Sequence, residues 1–253
     1  LYSLVALILV FFGTYYFAEE IYGFLVRPLA DQFDGEEGRR MIFTGLTEAF
    51  FTYIKVAFFA AMFLSFPIIA NQIYKFVAPG LYTNEKGAFL PYLIASPVLF
   101  FLGGAMLYFL ILPLAINFFV SFETPDGAGG MAIQLEAKLS EYLSLIMKLI
   151  FAFGLFFQMP VAISLCARAG LVSSETLIKR RKYAVVIMFV LAAVLTPPDV
   201  ISQLGLGLPG LILYEISIHL AKLVERKRKE RDREFYGDDF DDDDDDDEEE
   251  DRR

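Results

Sequence analysis

Few side chains in this sequence could do chemistry, and they stand far apart. Glu85 lies in a short polar loop, Tyr82-Thr83-Asn84-Glu85-Lys86, between two long apolar stretches. A carboxylate there is either a solvated loop charge or a cation site. Its natural guest is a guanidinium, whose planar fork grips a carboxylate through two hydrogen bonds. Gln158 sits at the centre of the apolar run Leu149–Ala167, just before Met159-Pro160. A polar side chain at membrane depth needs a partner, so Gln158 is either glue between helices of this chain or a docking point for a partner helix. Glu215 stands in apolar sequence about a turn and a half before a basic cluster, where it can snorkel, pair with Lys222 or line a cavity. Asp199 directly follows Pro197-Pro198, a position suited to capping a turn.

Recognisable catalytic constellations are missing from the sequence. There is no Walker loop, dinucleotide fingerprint, HExxH or GxSxG. Cys166 is the one cysteine, so no disulfide closes within the chain, and its apolar surroundings suit a small buried residue. His219 is the one histidine and has no Cys or His at ligand spacing. The expectation is a protein that is not an enzyme, with no metal, no cofactor and no nucleic-acid partner.

The elements that position these residues are membrane spans. Of 253 residues, 56% are hydrophobic, and the mean hydropathy is +0.51, which places the chain in the membrane class. A helix needs about 20 apolar residues to cross a bilayer. Windows of that kind give spans at about 1–18, 56–74, 89–112 and 149–167, with Pro113 starting an apolar extension beyond the third. The stretch from Tyr183 to Ala221 is apolar apart from Asp199 and Glu215, and Thr196-Pro197-Pro198-Asp199 interrupts it. Adjacent prolines stop a helix, so this stretch reads as a hairpin of two short spans, 183–197 and 200–220, with the Pro-Pro-Asp at its tip. The fold class is therefore all-α: a polytopic membrane protein with six transmembrane helices, in a membrane domain of residues 1–221. Residues 222–253 carry a net charge of −8, most of the chain's −10, and such a run should form a disordered charged cytoplasmic tail.

Basic residues orient the bundle. Lys179-Arg180-Arg181-Lys182 precedes the hairpin, and Lys222, Arg226, Lys227, Arg228 and Lys229 follow it. Both clusters belong on the cytoplasmic side. Counting back through the spans puts the N-terminal side there too. It also puts the Lys75–Lys86 loop in the cytoplasm and loops 19–52 and 113–143 outside. Because Leu1 already lies in apolar sequence, a cytoplasmic segment is expected to precede it.

These strings resemble a family. Phe76-Val77-Ala78-Pro79-Gly80-Leu81-Tyr82 followed by Glu85 resembles the first cytoplasmic loop of TatC, the multispanning subunit of the twin-arginine protein translocase. Phe66-Pro67-Ile68 with Gln72, Phe153-Gly154 with Gln158-Met159-Pro160, and Arg181-Lys182-Tyr183 through Thr196-Pro197-Pro198-Asp199 to Ser202-Gln203 resemble its second, fourth and fifth spans in order. The resemblance covers residues 1–222 and leaves out the acidic tail.

The resemblance implies a receptor in the cell inner membrane with both termini cytoplasmic. It would bind the twin-arginine signal peptides of folded cargo. It would assemble, as a homo-oligomer within a larger complex in lipid, with TatA- and TatB-type single-span partners for export driven by the proton-motive force. Carried onto this sequence, Glu85, Phe76 and Tyr82 would contact the signal peptide. Gln158, Pro160 and Thr196 would dock a partner helix. Pro28, Pro197, Pro198 and Asp199 would shape loops and the hairpin. The family often has glutamate where Gln158 stands, and an amide hydrogen-bonds at depth without titrating. The rival reading, a small-solute secondary transporter or channel, needs a polar path through the body that Gln158 and Glu215 alone make poorly.

Overall fold

The computed structural model describes residues 2–33, 40–81, 90–124, 134–195 and 200–236. The chain is built from helices: α1 Tyr2–Tyr16, α2 Ala18–Ala30, α3 Glu48–Leu64, α4 Phe66–Leu81, α5 Leu90–Met106, α6 Leu112–Val120, α7 Leu139–Phe156, α8 Met159–Arg168, α9 Ser174–Lys179, α10 Arg181–Leu195 and α11 Val200–Tyr236. Among the described residues, Pro91–Val120, Leu139–Arg168 and Val200–Lys227 are each long and apolar enough to cross a membrane. The bent pairs Tyr2–Tyr16 with Ala18–Phe33 (75°) and Glu48–Leu64 with Phe66–Lys75 (49°) qualify as broken spans. The protein is thus an all-α polytopic membrane protein. α10 has 15 residues, or about 22 Å at 1.5 Å per residue, against a hydrocarbon core of about 30 Å.

Prolines decide where these helices break. Pro67 has no N–H, so after Ser65 the ladder restarts with Ile68 and Ile69 both donating to the Ser65 carbonyl at 3.0 Å. Pro160 does the same after α7: Gln158 N–H falls back to Leu155 O at 3.0 Å, one residue tighter than an α-helical bond. Pro113 is handled differently. The sequence suggested that the third span gives way to an extension at Pro113. Instead a π turn over Leu107–Ile111 widens the ladder just before the proline, with Leu112 N–H reaching Leu107 O, and α6 carries on to Val120.

The far end of the chain corrects another expectation. Residues 222–236 are not a disordered segment, because α11 runs through them as helix to Tyr236. No Gly or Pro interrupts residues 211–236, and charges of both signs alternate there, with Arg226 bonded to Glu230 one turn on at 2.8 Å. Residues 237–253 and the hairpin tip 196–199 lie outside the described residues.

The chain forms two compact units, Leu1–Gln158 with Val186–Gly210, and Met159–Val185 with Leu211–Arg253. The first packs aromatic rings against glycines. Phe66 and Phe100 stack with centroids 3.6 Å apart, and Phe63, Phe101 and Phe151 surround them. Phe100 also lies flat on Gly154, where an added Cβ would come within 2.6 Å of the ring. α1 is tied to α3 by Thr14 Oγ1, which donates to Ala57 O at 2.8 Å. Outside this core many large apolar side chains are exposed, including Leu9, Phe12, Phe109 and Leu208, as lipid-facing surface requires. In the second unit, α8 ends in a Schellman motif. Gly170 adopts φ 74°, and Leu171 N–H donates to Cys166 O at 3.0 Å.

Gly154→Val should lower stability in detergent by about 1–3 kcal/mol through overpacking against Phe100, read as a drop in thermal midpoint. Shrinking the ring in the double variant with Phe100→Leu should recover part of that loss. An unchanged midpoint in Gly154→Val would show that this close approach is not real.

Candidate functional site

Gln158 closes two hydrogen bonds on one residue of another helix. Its Nε2 donates to Ser96 O at 2.9 Å, and Ser96 Oγ donates to Gln158 Oε1 at 2.5 Å. Ser96 is 1% exposed, and Gln158 is half-buried. The pair joins the middle of α5 to the break between α7 and α8. It forms there because Pro160 halts α7 and leaves Gln158 in the turn, while Gly103 and Gly154 let α5 and α7 come close. Tyr74 of α4 packs against the aromatic cluster of Phe66 and Phe100.

This arrangement uses one of the two Gln158 amide protons. The other has no partner among the described residues. The glue role is thus present in the structure, and one donor remains for a polar group on another helix. Pro160 is buried in the first turn of α8, where its carbonyl accepts Ser164 Oγ at 2.6 Å. Pro28 is buried near the end of α2, next to the Arg27–Asp31 pair. Phe76 lies on α4. Tyr82, Glu85, Thr196, Pro197, Pro198 and Asp199 lie outside the described residues.

Several contacts were not anticipated from the sequence. Glu215 pairs with Arg181, Nη2 to Oε2 at 2.7 Å, rather than with Lys222. Glu48, the first residue of α3, accepts from the Thr44 and Gly45 N–H groups at 2.9 and 3.0 Å and from Ser140 Oγ. Beside it Ile42 N–H donates to Ala137 O and Leu139 N–H to Ile42 O, stitching the two loops expected outside. Tyr108 Oη donates to Phe24 O at 2.6 Å. A local signal existed for Glu48, since a Thr-Gly-Leu-Thr-Glu string before an apolar run reads as a helix start. Ser96 carried a weaker one, as a hydroxyl before Pro97 inside an apolar run. An apolar groove of about 310 Å³, lined by Phe24, Phe59, Phe63, Phe101 and Tyr108, offers no converging polar groups.

Comparison with known proteins places these features. The family described as Sec-independent protein translocase protein (TatC) matches residues 1–209. The TatC protein of Magnetococcus marinus is 45% identical over 230 residues, covering 91% of this chain and 82% of that one. The TatC protein of Escherichia coli K12 is 38% identical over 229 residues, covering 90% and 86%. A crystal structure of the twin-arginine translocase receptor TatC superposes with a TM-score of 0.72 at 34% identity, covering 88% of this chain and 94% of that one.

A double-mutant cycle tests the pair. Ser96→Ala and Gln158→Leu should each cost about 1–2 kcal/mol in detergent, and the double variant should cost less than their sum by about 1 kcal/mol. Strict additivity would mean that the two side chains do not interact.

Proposed function

The chain belongs to the TatC family of Sec-independent protein translocase proteins, and on that premise we propose that it serves as the receptor subunit of a twin-arginine translocase. It is a non-enzymatic transport component and a multi-pass membrane protein. The observation that carries the reading is the shared fold with the twin-arginine translocase receptor across most of both chains.

In this reading the chain lies in the inner membrane with both termini cytoplasmic, and it assembles with TatA- and TatB-type single-span subunits. The Phe76–Glu85 segment meets the signal peptide, with the Glu85 carboxylate taking the arginine pair through charge-assisted hydrogen bonds. Gln158, with Pro160 and Thr196, meets a partner helix within the bilayer. The spare Gln158 N–H supports that role, since an unused donor within the bilayer stabilises whichever helix brings it an acceptor. The bonded state of Ser96, Gln158 and Glu215 weighs against a solute path. Each of these polar groups already holds a protein partner among the described residues.

Binding of a twin-arginine peptide to the membrane-embedded protein should fall about tenfold or more in both Glu85→Ala and Glu85→Gln. A hydrogen bond to a charged group contributes about 1.5–3 kcal/mol, and each 1.4 kcal/mol is a factor of ten. Unchanged affinity in both variants would remove Glu85 from the site.

A further inference from the structure

The second unit gathers positive charge on one surface. Glu225 of α11 accepts from the Ser174 N–H and hydroxyl, Tyr214 Oη donates to Leu177 O at 2.9 Å, and Arg181 bonds Glu215. These three links lay α9 and the start of α10 along α11 between Glu215 and Glu225, about 15 Å of helix. Lys179, Arg180 and Lys182 are thereby held alongside the stretch of α11 that carries Lys222, on the flank that Arg181 reaches, and all four side chains are exposed. Arg181 and Arg226 have acidic partners. Among the described residues these four have none. Lys182 lies only over the Tyr183 ring, 5.2 Å from its centroid.

The same chain holds the complementary charge. Residues 238–251 contain thirteen acidic side chains and one phenylalanine, with no base among them. They follow α11, which ends at Tyr236. From Tyr236 back to Lys222 is about 21 Å of helix, and to the level of Glu215 about 31 Å. Ten residues of extended chain reach about 33 Å and fifteen about 50 Å, so residues 246–251 can return as far as the level of Glu215. A segment of this charge density repels itself when free, and so does the lysine cluster. Bringing them together relieves both, and closing a loop this short adds only a small entropic cost.

We propose that the acidic segment Asp238–Asp251 docks on the basic surface formed by Lys179, Arg180, Lys182 and Lys222 of the same molecule. The docked segment covers cations that would otherwise attract anionic lipid headgroups or an acidic partner. The inference rests on charge and reach within the second unit and is independent of the receptor reading.

Carboxylate-to-amine zero-length crosslinking of the full chain in neutral-lipid nanodiscs, mapped by mass spectrometry, tests it. Low salt should give crosslinks from residues 238–251 to Lys179, Lys182 or Lys222, and an isotope-mixed sample should show them within single molecules. Their yield should fall about fivefold or more near 1 M salt, where the Debye length is about 3 Å. It should fall similarly when residues 241–250 are changed to Asn and Gln, with the remaining acids as internal reporters. The absence of such crosslinks would overturn the proposal. So would crosslinks chiefly to Lys55, Lys75, Lys138 or Lys148, crosslinks between molecules, or a yield indifferent to salt.

Discussion

Pro67, Pro113 and Pro160 each remove a backbone donor inside an apolar helix, and the fold is organised by how those gaps are absorbed. Hydrocarbon offers no water to satisfy a freed carbonyl, so each gap must be closed from within the protein. At Pro67 the Ser65 carbonyl takes two donors and the helix bends by 49°. At Pro113 a π turn keeps the helix running. At Pro160 the helix breaks, and Gln158 is left in the turn with its amide turned onto Ser96.

That last break turns a local constraint into a site. Gln158 could not reach Ser96 unless α5 and α7 lay close, and the contact depends on small residues. Gly103 backs onto the Phe153 carbonyl, and Gly154 carries the Phe100 ring. The same Phe100 stacks on Phe66 at the start of α4. α4 in turn leads to the loop expected to read the signal peptide. Aromatic packing and the Gln158–Ser96 pair thus hold the helix from which that loop departs. In the proposed function such a mount would let a flexible peptide be recognised at a lower ordering cost.

Much of this was legible in the sequence, for reasons that can be named. Apolar windows report directly on helices, so the all-α membrane class could be read, whereas the breaks near Pro67 and Pro160 fall inside windows that read as single spans. The string Gln158-Met159-Pro160 marked the site because a polar side chain in an apolar run demands a partner. Its partner stayed hidden, since Ser96 is 62 residues away and pairing depends on which faces meet. At Pro113 the missing donor has two solutions, a break or a π turn, and sequence does not choose between them; the structure takes the π turn. The helical stretch 222–236 was missed because net charge alone suggested disorder. The i,i+4 pairing of Arg226 with Glu230 and the absence of Gly and Pro favour helix instead.

In the proposed function this scaffold presents Glu85 to an arginine pair. A photoreactive residue at position 85, introduced in the membrane-embedded protein, tests it most directly. It should capture a precursor whose signal peptide carries Arg-Arg and lose most of that capture when the pair becomes Lys-Lys, because a lysine cannot form the bidentate contact. Equal capture of both precursors, or of neither, would contradict the claim.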